Sequence, residues 1–304
     1  MYYNPSQLYG IIPPIVTPLT EKMELDQLAT SKLLKHLLHG GVHGLFVLGT
    51  TGEAPSLTDK VKLNLIRQVA NEVGTQIPWL VGITDNCLEN AVGWAKQAKE
   101  YGATAVVAAP PFYYPTSQSA LYSFFEALAE QSPLPLFLYN IPSHTSVRLE
   151  RDTIFHLLKL PNVVGYKDST LNMMDFHWIS QMRTETAPFL YFLGPEEYLL
   201  ETTLLGADGG VSGGANLFPQ LYVRLYESTR RQDFVTAHQL HQLVINVSTN
   251  VYNQGQTVIN GIKFALAELG IGNGLTAPPL RNLSSEEQEK IRIFLKDFTP
   301  NIPQ

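Results

Sequence analysis

The sequence predicts an α/β fold, a (β/α)8 TIM barrel with a C-terminal helical extension. Three observations carry this reading: eight short β-branched apolar runs, amphipathic helical patterns alternating with them, and a length of 304 residues. Near-continuous apolar runs are what parallel strands need when helices cover both faces of their sheet. A single barrel takes about 250 residues, which leaves room for an appendage. An open doubly wound sheet would want a glycine-rich turn after its first strand, where this chain has Val16-Thr17-Pro18.

The predicted strands span residues 10–16, 44–49, 79–83, 105–109, 136–140, 163–167, 189–194 and 208–213. Predicted helices lie between and after them, at 26–38, 58–73, 88–101, 118–131, 149–158, 173–182 and 196–205. The first has Leu28, Leu33, Leu34, Leu37 and Leu38 along one stripe. Strand patterns stop near Phe218, and helices are expected at 224–243, 257–269 and 285–295, the last capped by Ser284 or Ser285. The chain therefore divides into a barrel carrying the active site, residues 1–230, and a helical region, residues 231–304.

With 44% hydrophobic and 16% charged residues the chain can bury a sizeable core. A formal net charge of −6 argues against nucleic-acid or anionic-membrane partners, which select basic patches. Cys87 is the one cysteine, so no intramolecular disulfide forms and a reducing cytoplasm is expected. The N-terminus lacks a basic stretch followed by an apolar one, so no signal peptide is expected, and every apolar run is far shorter than the ~20 residues that span a bilayer.

Reactive residues of such barrels stand at the C-terminal ends of the strands. The sixth predicted strand, Val163-Val164-Gly165-Tyr166-Lys167, puts Val163, Gly165 and Lys167 on one face by alternation. If that face is the inner one, Gly165 leaves room beside a lysine in an apolar cavity, where desolvation frees a neutral, nucleophilic amine. A strand-end lysine more commonly reaches into solvent. On the fifth strand Phe137 and Tyr139 share a face, so the Tyr139 phenol could enter the same cavity as a proton shuttle, against the common alternative of a core tyrosine. After the second strand, Gly49-Thr50-Thr51-Gly52-Glu53 offers hydroxyls and free backbone N–H groups suited to a carboxylate. Pro110-Pro111-Phe112-Tyr113-Tyr114-Pro115 is a stiff aromatic loop, a lid, a dimer contact or plain surface packing. No H-x-H or H-E-x-x-H pair marks a metal site among the eight histidines.

In their order and spacing, Gly49-Thr50-Thr51-Gly52-Glu53, Tyr139-Asn140-Ile141-Pro142 and Val164-Gly165-Tyr166-Lys167-Asp168-Ser169 resemble the dihydrodipicolinate synthase / N-acetylneuraminate lyase family. The resemblance runs from Gly10 at least to the glycine-rich stretch 206–216. It implies that Lys167 is the lysine that forms a Schiff base with pyruvate or another 2-oxo acid, and Tyr139 the proton carrier. It implies that Thr50 links Tyr139 to a second tyrosine, Tyr113, which in the synthases enters from the neighbouring subunit. Thr51 and Gly49 fall in the carboxylate pocket, and Gly194 and Val211 on positions lining the pyruvyl site. It further implies a homotetramer built as a dimer of dimers, and no metal or organic cofactor, because the lysine supplies the covalent catalysis.

The chain departs from the lysine-pathway synthases at Ser143-His144-Thr145, where they carry an arginine; His144 lacks that residue's permanent charge and bidentate fork. Glu196 and Glu197 stand where sialic acid lyases place an acidic pair against the sugar polyol, although glutamates also simply favour a helix N-terminus. The expectation is a class I aldolase or lyase joining pyruvate and an aldehyde, acting on a sugar-acid-like substrate. The rival is a dihydrodipicolinate synthase condensing pyruvate with aspartate semialdehyde. A catalytically inactive, ligand-binding relative is the non-enzymatic alternative, which the joint presence of Lys167, Tyr139, Thr50 and Tyr113 argues against.

Overall fold

Eight parallel strands form where the apolar runs predict them: β1 (Gly10–Ile11), β2 (Leu45–Val47), β3 (Trp79–Gly82), β4 (Ala105–Ala108), β5 (Leu136–Asn140), β6 (Val163–Asp168), β7 (Leu190–Leu193) and β8 (Gly209–Gly210). The computed structural model describes residues 8–184 and 188–301; the first seven residues, read above for a leader, lie outside it. Each strand pairs in parallel with its neighbour, in the order β1-β8-β7-β6-β5-β4-β3-β2. A parallel bridge from Pro14 to Phe46 closes the ring, with Ile15 N–H donating to the Phe46 carbonyl at 2.9 Å. The fold is the predicted (β/α)8 barrel with helices beyond it.

Alternation along the strands sorts side chains into two cores. Phe46, Leu80, Val107, Phe137, Phe192 and Val211 fill the barrel interior. Val47, Val81, Val106, Leu138, Tyr166 and Tyr191 point outward under the helices. Each fully buried aliphatic side chain is worth roughly 1.5–3 kcal/mol relative to exposure.

One strand breaks the expected alternation. Leu136 pairs with Val163, but Phe137 pairs with Gly165, so β6 holds one extra residue at Val164. Val163 therefore joins the outer core instead of sharing the face of Gly165 and Lys167, while Val164 packs against the interior. The bulge restores the register in which Lys167 faces inward.

The helices are α1 (Gln27–His39), α2 (Asp59–Glu72), α3 (Leu88–Glu100), α4 (Gln118–Gln131), α5 (Pro142–Thr145), α6 (Arg151–Leu157), α7 (Met173–Met182), α8 (Leu199–Leu204), α9 (Pro219–Arg230), α10 (Phe234–Val247), α11 (Val258–Glu268) and α12 (Ser285–Phe298). In α1, Leu33, Leu34 and Leu37 are buried as the stripe predicts, but Leu28 is 71% exposed and lies outside it. The predicted helix 224–243 is two helices. Gln232 takes a left-handed φ of 61° and Asp233 caps α10 by accepting from Thr236 N–H, so the chain turns back and α10 packs on α9. Short α5, entered through Pro142, was not anticipated. Ser284 is the cap of α12, in a reciprocal box with Glu287. Among the described residues no helix is long and apolar enough to cross a membrane.

Candidate active site

The C-terminal ends of β5 and β6 set Tyr139 directly opposite Lys167 in the ladder. Both side chains are buried, at 4% and 6% exposure. Lys167 Nζ sits 3.5 Å from the centroid of the Tyr139 ring and donates to Ser169 Oγ at 3.4 Å. Burial pulls the Lys167 ammonium below the usual lysine range; charge and hydrogen bonding at Tyr139, and the Asp168 carboxylate, oppose this. The neutral amine is thus more accessible than on a surface lysine.

Gly165 serves a different neighbour from the one expected. A side chain there would strike the Phe137 ring, so the glycine makes room for the aromatic floor below the lysine rather than for the lysine itself. Next to β2, Leu48 and Glu53 both adopt left-handed backbone (φ 58° and 60°), bracketing the turn that carries Thr50 and Thr51. That turn brings Thr50 Oγ1 to 3.3 Å from the Tyr139 hydroxyl, where the two share a hydrogen bond.

These groups face a cavity of about 400 Å³ at the mouth of the barrel. Thr50, Thr51, Tyr139, Lys167, Gly194 and Val211 all line it, as do His144 and the Glu196–Glu197 pair. His144 comes from α5, with Nδ1 3.0 Å from Ser143 Oγ; burial and then the Lys167 charge hold its pKa down. Gly49 is not among the lining residues, and a side chain there would meet the Phe46 ring. Tyr113 is also absent from this wall: it is 73% exposed, on a loop whose Phe112 and Tyr113 amides both donate to Asn86 Oδ1, at 2.8 and 3.2 Å. Among the described residues no three His, Cys, Asp or Glu side chains cluster to hold a metal ion.

A family model for the dihydrodipicolinate synthetase family matches residues 7–298. The chain belongs to that family. Members of the family are lyases, and this chain is one of them. The probable 2-dehydro-3-deoxy-D-pentonate aldolase of Escherichia coli (strain K12) is 30% identical over 94% of this chain and 96% of its own length. A dihydrodipicolinate synthase from Bacteroides thetaiotaomicron superposes with a TM-score of 0.91 at 42% identity, covering 95% of this chain and 98% of that one. A prophage protein of the family from E. coli K12, solved in complex with pyruvate, gives 0.91 at 28% identity, over 96% and 99% of the two chains.

Several residues of this family member's site escaped sequence reasoning. Tyr252, Gln256, Thr257, Val258 and Ile259 complete the cavity wall, so the chain beyond residue 230 shares in the site. Tyr252 ends a π-helical turn, Ser248–Tyr252, that closes α10. No periodicity in the sequence marks such a turn. It docks on the acidic pair: Ser248 donates to Glu197, and Tyr252 donates to Glu196 at 2.7 Å. Glu196 also accepts from the Tyr222 hydroxyl and from Gly214 N–H at 3.0 Å. Burial, followed by the Glu197 charge, pushes the Glu196 carboxyl up to about 7 despite these hydrogen bonds. Glu196 is thus held within the wall by three donors, while Glu197, which lines the same cavity, accepts from Ser248. On the outer side of the barrel, buried Asp168 accepts from Tyr191 at 3.0 Å and from Thr170 N–H at 2.8 Å, holding the loop that follows the lysine.

Proposed function

We propose that Lys167 forms an imine with pyruvate or a related 2-oxo acid, and that the chain makes or breaks a C–C bond between pyruvate and an aldehyde. The observation that carries this is a buried lysine stacked on the tyrosine opposite it, with that tyrosine hydrogen-bonded to Thr50. The neutral amine attacks the ketone carbon, and loss of water from the carbinolamine leaves an iminium. Tyr139 carries the protons of these steps, with Thr50 fixing its hydroxyl. The turn at Thr50 and Thr51 holds the carboxylate, and Gly194 and Val211 bound the three-carbon unit. The iminium accepts the electron pair of the breaking C–C bond as the aldehyde departs, giving an enamine; protonation and hydrolysis release pyruvate and the free lysine. The reverse sequence condenses the two. Written this way, the reaction draws on no metal or organic cofactor.

For the partner, a hydroxylated, sugar-acid-like substrate is the better fit. His144 and Glu197 offer acceptors and donors for hydroxyl groups rather than a permanent cationic fork for a second carboxylate. The pentonate aldolase relative supports this reading. The second reading is condensation with aspartate semialdehyde, kept because one neighbour, 42% identical, is named as a dihydrodipicolinate synthase. Exposed Tyr113, on a loop pinned by Asn86, suits entry into a neighbouring subunit's site within a homotetramer, and an enzyme with one cysteine suits the cytoplasm.

Borohydride reduction in the presence of pyruvate should leave a stable adduct mapping to Lys167 by peptide mass spectrometry. An unmodified Lys167 sinks both readings. Pyruvate release from 2-keto-3-deoxy sugar acids or sialic acid, without robust condensation of pyruvate and aspartate semialdehyde, selects the first; the opposite pattern selects the second. Sedimentation tests the tetramer.

A further inference from the structure

The Glu53–Lys263 ion pair is the most deeply buried on the described chain, with side chains 1% and 3% exposed. It joins residues 210 apart in sequence, and neither takes part in the chemistry above. Glu53 closes the turn that carries Thr50 and Thr51, in a left-handed conformation (φ 60°) that a non-glycine residue adopts only when its surroundings hold it there. Lys263 Nζ donates to Glu53 Oε2 at 2.6 Å, and Ala277 N–H donates to Oε1 at the same distance. One carboxylate thereby ties the turn to two places in the C-terminal region. The preceding Gly52 carbonyl accepts from buried Thr17 Oγ1 at 2.7 Å, fixing the other side of the turn to the end of the first barrel segment.

Lys263 lies in α11, whose first turn supplies Val258 and Ile259 to the cavity, preceded by Thr257. The pair therefore runs between the two walls of the cavity, the threonine turn on one side and the start of α11 on the other. We propose that Glu53 and Lys263 are positioning residues that hold the Thr50–Thr51 turn and the α11 wall at the separation needed to seat the 2-oxo acid beside Lys167. This rests on the imine reading given above. Buried ion pairs contribute little net stability compared with neutral groups of similar shape, but breaking one partner strands a charge. Their use here is geometric: they fix one arrangement of segments that are remote in sequence.

The test is the double variant E53Q/K263M. Glutamine keeps an oxygen for Ala277 N–H, and methionine keeps the unbranched length of the lysine stem, so both charges leave together with little change in volume. Two measurements are made. Hydrogen exchange should quicken about tenfold in peptides covering the Thr50–Thr51 turn and the start of α11, with the remaining barrel unchanged. The pyruvate concentration that half-saturates borohydride trapping at Lys167 should rise about tenfold or more, while trapping at saturation stays close to wild type. A packing role alone would not split the two trapping quantities. Unchanged local exchange, or faster exchange with unchanged half-saturation, overturns the proposal. Failure of the wild-type chain itself to trap pyruvate overturns the imine reading, and the proposal with it. If the double variant does not fold, E53Q alone is measured by the same two criteria.

Discussion

Lys167 Nζ rests 3.5 Å from the centroid of the Tyr139 ring because β5 and β6 pair those two residues directly. The pairing depends on the extra residue in β6, which resets the ladder between Leu136 and Phe137. Without that bulge, alternation from Val163 would still favour one face, but Leu136 and Val163 could not both lie under the helices while Phe137 faces Gly165.

The pH dependence of adduct formation follows from burial of the lysine. Because desolvation lowers its pKa, the neutral amine gains population as pH rises, and the trapping rate should level off below the ~10.4 of an ordinary lysine. Trapping rates against pH, at saturating pyruvate, measure this. A plateau reached only at the pKa of a free lysine would contradict it.

Tyr139→Phe removes the phenol but keeps the ring against Lys167. Loss of a positioned proton carrier costs typically about 10²–10⁴-fold in kcat. Thr50→Val, which leaves Tyr139 in place but unanchored, should cost less. Steady-state kinetics on both variants check the order; a Tyr139→Phe enzyme within twofold of wild type would remove the phenol from the mechanism.

Gly165→Ala pushes a methyl group into the Phe137 ring and towards the Leu190 carbonyl at 2.8 Å. Overpacking of this kind destabilises by about 1–3 kcal/mol. Urea denaturation gives the value directly, and no change in the midpoint would mean that the barrel floor yields freely.

Glu196 gives stability a pH slope of known sign. Its folded pKa, about 7, lies above the ordinary carboxylate value of 4.5, so the folded chain holds the extra proton between the two. Its favourable contribution is complete below about 4.5 and is lost as pH rises through about 7, on the order of 3 kcal/mol across that window. Glu196→Gln cannot titrate, so its melting temperature should fall less than that of wild type between pH 5 and pH 8. Parallel curves for the two proteins would exclude this role.

His144→Arg introduces the permanent fork that suits a carboxylate-bearing aldehyde. The ratio of kcat/KM for aspartate semialdehyde to that for a sugar acid should rise about tenfold. An unchanged ratio would place the choice of partner elsewhere on the wall, with Glu197 and the turn ending in Tyr252 the next groups to vary.

The fold class, all eight strands and the local motifs around Thr50, Tyr139 and Lys167 were legible in the sequence. Strand runs, helix stripes and turn residues are local patterns, and alternation groups Tyr139 with Phe137 and Lys167 with Gly165, but the extra residue in β6 is what aims both pairs at one interior. What the chain does between distant segments was not legible. Nothing local announces that Val164 is an extra residue, that Gln232 turns α9 back into α10, or that a π-helical turn brings Tyr252 against Glu196. Least of all could spacing reveal Lys263 seated on Glu53. Such pairings depend on which loops the closed barrel brings together and on burial that leaves each polar group one satisfactory partner, so only the tertiary structure decided them.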